Sequence, residues 1–112
     1  DVLSAPSQTK PKWREQFGRM IVEAFACGVP VVASDSGEIP NVVRDAGIIV
    51  GEGDQAGWVQ ALGDLLENPA HRAELSKRGM ERARSKYAWP VIARQHLAFF
   101  DELLDAPGNP GR

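Results

Sequence analysis

At 112 residues the chain has the length of one domain, and its 43% apolar and 25% charged residues exclude a disordered, collagen-like or disulfide-scaffolded protein. Its 13 basic and 15 acidic residues are interspersed around a formal charge of -2, so no basic patch marks a nucleic-acid partner, and none is expected. Cys27 is the single cysteine, which rules out an intrachain disulfide and CxxC metal ligation, and fits a reducing, cytoplasmic setting.

In chain order, Val2 to Ala5 reads as a strand ended by Pro6, and the absence of an initiator Met before it suggests a fragment of a larger protein. The loop Gln8 to Arg14 follows, carrying Lys10, Lys12, Trp13 and Arg14. A helix-like stretch runs from Phe17 to Cys27, then the apolar run Pro30 to Ser34 reads as a buried strand. Asp35 is expected to cap the next turn, a second helix spans Glu38 to Arg44, Gly47 is expected to supply a helix-end conformation, and Gly47 to Val50 is a third strand. Alternating strands and helices predict an α/β fold: a partial Rossmann-like parallel sheet flanked by helices. Three strands are few for so many helices, and missing sheet neighbours are expected.

The second half is helical. Trp58, Ala61, Leu62, Leu65 and Leu66 form one apolar stripe, with Asp54 as N-cap. Asn68-Pro69 ends that helix and starts a charged surface helix to Lys86, with a weak stripe at Ala73, Met80 and Ala83. Trp89-Pro90 opens a last helix whose stripe is Ile92, His96, Phe99, Phe100, Leu103 and Leu104. Residues 1–105 read as one unit and the Pro/Gly-rich residues 106–112 as a disordered tail. No apolar run approaches the ~18 residues of a membrane span.

Met20 to Cys27, MIVEAFAC, has seven apolar residues out of eight, so the helix is expected to be buried nearly all round. Glu23 in its middle then needs a partner, because an unpaired buried carboxylate costs several kcal/mol or more. Two readings stand on physics alone: a salt bridge to Arg or Lys with no ligand, or a ligand bearing hydroxyls. Gly18 permits close approach at the helix start, where first-turn N–H groups and the helix dipole suit a phosphate. Cys27 reads as a small core residue, His71 as exposed, His96 as a packing or docking residue, and Glu38 as part of a turn. The Gln8–Arg14 loop is either a flap over a ligand, with Trp13 stacking, or a solvated loop anchored by that Trp.

The stretch EQFGRMIVE, with seven residues between Glu15 and Glu23, is followed by AFACGVPVVASDSGEIP and DAG, and resembles the E-x7-E signature and flanks of family 4 glycosyltransferases. The resemblance runs from about Asp1 to Asp54 and more loosely to Leu104. It implies the C-terminal half of a GT-B nucleotide-sugar-binding domain and retaining sugar transfer from a nucleotide-diphosphate sugar. It places Glu15 against the donor sugar as the catalytic position and Glu23 on the nucleotide ribose. Phe17, Gly18, Arg19 and Met20 would approach sugar and diphosphate. The donor is a substrate, and no cofactor or metal site is implied. The family's diphosphate-binding Arg and Lys, and its acceptor-binding N-terminal domain, match nothing in this chain.

The expectation is therefore the donor-holding part of a glycosyltransferase, inactive alone, cytoplasmic or membrane-peripheral within its whole protein, with exposed edges open to self-association. A non-catalytic nucleotide-binding or structural Rossmann-like module is the alternative. Another GT-B enzyme, such as an epimerase or phosphorylase, fits EQFGRMIVEA less well.

Overall fold

Val31–Ser34 (β2) is buried along its whole length and bonds on both sides to parallel neighbours, Leu3–Ala5 (β1) and Ile48–Val50 (β3). The register pairs Leu3 with Val31 and Ala5 with Ala33 on one side, and Val32 with Ile48 and Ser34 with Val50 on the other. The computed structural model describes residues 1–12, 17–108 and 110. Three short, mostly apolar strands, β-branched in β2 and β3, make a sheet because both faces are covered, as parallel sheets require.

The cover follows from the alternation of side chains along β2. Val31 and Ala33 point, with Ala5, toward Arg19–Ala26 (α1) and Ile39–Val43 (α2), which contribute Ile21, Phe25, Ile39, Val42 and Val43. Val32 points the other way and packs with Val50, with Ala61 and Leu65 of Gln55–Glu67 (α3), and with Leu75 of Pro69–Arg82 (α4). The two crossover helices α1 and α2 share a face, as right-handed connections stepping in one direction must.

α1 is amphipathic, not buried all round. Ile21 and Phe25, one turn apart, are fully buried, whereas Met20, Glu23, Ala26 and Cys27 face outward. Cys27 is thus an exposed thiol and not a core residue. A run of small and medium apolar residues conceals which of its faces meets the sheet, and tertiary packing decides it. α1 ends in a Schellman motif, with Gly28 at φ 70° donating to Phe25 O and Val29 donating to Ala24 O. That left-handed role had been expected of Gly47, whose backbone is extended at φ -155°. Gly47 is needed for a different reason: a Cβ there would lie 2.8 Å from Val31 O and 2.8 Å from Val43 Cγ1.

α2 begins later than expected and passes into a 3-10 turn, Arg44–Ala46. The turn before α2 is closed by Ile39 N donating to Ser36 O, and no hydrogen bond from the Asp35 side chain caps it. α3 is capped as its sequence predicts, with Asp54 accepting from Gly57 N at 2.9 Å. Of its expected stripe, Ala61 and Leu65 are buried and Leu66 is exposed.

α4 packs against α1 through Gly79, which lies beside the Phe25 ring, while its Leu75 joins the α3 side of the core; the expected Ala73 and Met80 are exposed. Its charges have a structural use. Arg72 Nη1 donates to Leu65 O and, at 2.9 Å, to Leu66 O, in the last turn of α3. Arg82 Nε donates to Val42 O at 2.6 Å and Nη2 to Asn41 O at 2.8 Å, in the last turn of α2. Arg78 Nη1 reaches Asp45 O at 3.3 Å. These guanidinium groups meet carbonyls that the helices leave unpaired, at the negative ends of their dipoles.

A π-helical turn, Ala83–Tyr87, then leads into Trp89–Asp105 (α5). α5 packs against that turn and has no buried residue; Phe99, Phe100, Leu103 and Leu104 of its stripe are exposed and Ile92 is half-buried. No helix among the described residues is long and apolar enough to cross a membrane.

Two stability outcomes follow. Arg82→Ala removes charged donors from two carbonyls and is expected to cost about 1.5–3 kcal/mol, with Arg82→Lys restoring part of it. Gly47→Ala gains ~0.4–1 kcal/mol from a less free unfolded chain. It loses about 1–3 kcal/mol to overpacking against a backbone oxygen, so the net is destabilising. Urea denaturation measures both; a Gly47→Ala chain as stable as wild type would contradict the packing.

Candidate functional site

Three loops leave the carboxyl ends of the strands, the edge where open parallel sheets hold ligands. They are Pro6 to Lys12 after β1, Asp35 to Glu38 after β2, and Gly51 to Asp54 after β3. Asp35 N donates to Val50 O at 2.9 Å, joining the second loop to the end of β3. Buried Ser34 donates its hydroxyl to Ser7 O, joining β2 to the first loop. Buried Ser36 shares a hydroxyl hydrogen bond of 3.1 Å with Thr9. Thr9 in turn donates its N–H to both Glu52 oxygens at 3.1 Å and its hydroxyl to Glu52 Oε1 at 2.6 Å. Small hydroxyl residues at strand ends therefore stitch the edge together.

α1 starts at the same edge. Gly18 is buried at φ 73°, a left-handed conformation that L side chains rarely adopt, and an added Cβ would sit 3.0 Å from Ile21 Cδ1. Gly18 therefore lets the chain turn tightly into the helix, and Ile21 N donates back to Gly18 O at 2.9 Å. The N–H groups of the helix start are aligned along the helix axis and give this edge the positive end of the dipole.

The expected site residues divide into three groups. Gly18, Arg19 and Met20 lie at the helix start, with Arg19 and Met20 exposed. Phe17 precedes them and packs edge-on against Tyr87, with ring centroids 5.6 Å apart. Glu15 lies outside the described residues, as do Trp13, Arg14 and Gln16. The Gln8–Arg14 loop, read as a flap over a ligand or a solvated loop, is described only to Lys12.

Glu23 is corrected. Its side chain is 67% exposed and pairs with Arg19, 81% exposed, at 3.3 Å across one helical turn. The desolvation argument for a partner therefore fails. An exposed i,i+4 pair contributes only ~0.3–0.5 kcal/mol, so Arg19 does not sequester the carboxylate. Glu23 thus remains exposed, one turn inside the helix.

Other expected roles resolve locally. Glu38 accepts from Asn41 Nδ2 at 2.9 Å, within its own turn. His71 is half-buried, 2.6 Å from Asp64 on the neighbouring helix. Exposed His96 bonds to Ile92 O on its own helix and leans toward Phe100. Among the described residues, no three His, Cys, Asp or Glu side chains are grouped as a metal site requires. A hollow of about 210 Å³ lies beside the stitched edge on the α3 side, lined by Ser7, Gln8, Ser34, Gly53, Gln55 and Trp58. The reading of the sequence missed Thr9, Ser34 and Glu52. Hydroxyl residues ending apolar strand runs were a visible signal, but nothing in the sequence pairs Thr9 with a carboxylate 43 positions away.

Residues 1–82 match the family described as glycosyl transferases group 1. The chain is 36% identical over 96 residues to a D-inositol 3-phosphate glycosyltransferase of Salinispora tropica, covering 84% of the chain and 20% of that relative. It is 40% identical over 91 residues to a phosphatidyl-myo-inositol mannosyltransferase of Mycobacterium leprae, covering 80% of the chain and 24% of that relative. The chain thus spans about a fifth to a quarter of the length of these curated relatives. Among solved structures, sucrose-phosphate synthase from Thermosynechococcus elongatus superposes with a TM-score of 0.78 at 32% identity, over 92% of this chain and 25% of that one. The Anabaena protein Alr3699/HepE, solved in complex with UDP, superposes with a TM-score of 0.81 at 24% identity, over 91% of this chain and 28% of that one, and shows the fold. The family match over most of the chain and the likeness to GT-B structures agree: this chain belongs to the group 1 glycosyl transferases.

Proposed function

We propose that the chain is the donor-holding part of a glycosyltransferase that moves a sugar from a nucleotide-diphosphate sugar to an acceptor with retention of anomeric configuration. The observation that carries this reading is the start of α1. The positive end of the α1 dipole opens beside Gly18 at the carboxyl edge of the sheet, with an exposed carboxylate, Glu23, one turn further in. Diphosphate oxygens suit the helix start, and a ribose diol suits Glu23. Glu15 is assigned to the hydroxyls of the transferred sugar, with Phe17, Gly18, Arg19 and Met20 lining the approach.

In this reading the bond between the anomeric carbon and the diphosphate oxygen breaks through an oxocarbenium-like transition state. Negative charge develops on the leaving diphosphate, where the fixed N–H dipoles stabilise it most. This reading assigns no general base and no metal. In this reading acceptor binding belongs to an N-terminal GT-B domain, and the remaining cations for the diphosphate, an Arg and a Lys, to a strand-helix unit preceding Asp1. The relatives' names differ in acceptor, so no acceptor or nucleobase is assigned. The 112 residues by themselves are accordingly expected not to turn over, and sugar transfer by the purified chain would overturn that part of the proposal.

Titration of UDP and GDP by calorimetry tests the site. Glu23→Ala removes charge-assisted hydrogen bonds worth about 1.5–3 kcal/mol, so the affinity for the bound nucleotide is expected to fall roughly 10- to 100-fold. Because Glu23 is exposed, the urea midpoint is expected to stay within ~0.5 kcal/mol of wild type. Unchanged nucleotide affinity in Glu23→Ala would refute the ribose assignment.

A further inference from the structure

We propose that Glu52 is a positioning residue: through Thr9 it straps the segment after β1 onto the carboxyl edge of the sheet, and this strap holds the site in its nucleotide-binding form. The second half rests on the donor reading above; the strap itself does not. The connection from Pro6 to Gly18 joins a strand to the helix whose start forms the candidate site. A connection of that length has many conformations, and fixing one backbone residue costs ~1–2 kcal/mol. Something must hold it.

Two ties do so among the described residues. Ser34 holds Ser7 near the strand end. Further out, one carboxylate takes three hydrogen bonds from one residue, Thr9, whose N–H and hydroxyl both donate to Glu52. These bonds are charge-assisted and stronger than neutral ones. They cross from the first loop to the loop after β3, 43 residues on, so they fix tertiary placement and not local conformation. Fully buried Ser36 in the loop after β2 adds its hydroxyl to Thr9 at 3.1 Å, so Thr9 is tied to the loops after both β2 and β3. Pro6 and Pro11 flank the strapped residues and narrow the chain's freedom on both sides. Both Glu52 oxygens accept from Thr9, which fits a role in holding the loop, with Thr9 as a residue held.

Limited trypsin digestion under native conditions reads the strap through cleavage after Lys12, with cleavage within α4 after Lys77 as the monitor of global unfolding. Loss of three bonds to a charged acceptor is expected to raise cleavage after Lys12 about 10-fold in Glu52→Ala, with cleavage after Lys77 unchanged. Glu52→Gln, which keeps one acceptor oxygen, is expected to fall between. Thr9→Val keeps the N–H and loses the hydroxyl, so it is expected to accelerate cleavage less. Combining it with Glu52→Ala should add less than the sum of the two single effects, because the variants share the Thr9–Glu52 hydroxyl bond. UDP or GDP affinity in Glu52→Ala, with Glu23 intact, is expected to fall about 5- to 10-fold.

Equal cleavage after Lys12 in wild type and Glu52→Ala, or additive effects in the double variant, would overturn the strap. Faster cleavage with undiminished nucleotide affinity would overturn its link to the site. A wild-type chain that binds neither nucleotide would overturn that link and the donor reading together. The strap would then stand or fall on cleavage alone.

Discussion

The two-sided burial of β2 is the constraint from which the rest of the structure follows. Val31 and Ala33 must be covered on one face and Val32 on the other, and each residue of this strand is 0–1% exposed. A strand this short cannot tolerate a one-residue slip, since that would exchange every side chain between faces. Fixing β2 fixes the crossover helices on one face and α3 on the other. It also brings three strand ends, with their loops, to one edge. The start of α1 opens there because Ile21 and Phe25 are held against the sheet and Gly18 turns the chain into the helix.

α4 adds a second level of control. Its arginines bond to the carbonyls that end α2 and α3, so the helices on the two faces of the sheet are tied to one external element. The same segment leads by way of Arg82 to Tyr87, whose ring meets both the Arg82 guanidinium and Phe17. Packing therefore runs unbroken from the helix caps to the residue that precedes the candidate site. α5 stands apart from this frame, its apolar residues exposed.

Much of this was legible in the sequence. Apolar runs between turn residues marked all three strands, and Asp54 and Asn68 marked their helix starts by chemistry that acts within one turn. What was not legible depended on distant partners. Glu23 looked buried because α1 is almost wholly apolar, yet only one of its faces meets the sheet, and Glu23 lies on the other. Gly47 looked like a helix-end glycine, but its requirement is the space beside Val31 O, set by a strand 16 positions earlier in the chain. Thr9 and Glu52 are unremarkable in sequence and meet only when the sheet forms. The family was readable because several short motifs, EQFG, CG-PVV and SDSGEIP, occur together, and that combination carried the site assignment where the burial argument for Glu23 did not.

The central claim is that a nucleotide-sugar donor is held where α1 begins, at the carboxyl edge of the sheet. Amide chemical-shift mapping of the labelled chain during titration with UDP-glucose or GDP-mannose tests it most directly. The account predicts that the largest perturbations fall on the amides of Gly18, Arg19 and Met20, with Gly28 and Val29 at the opposite edge unmoved. Perturbations confined to that opposite edge or to α5, with Gly18 to Met20 unmoved, would contradict it.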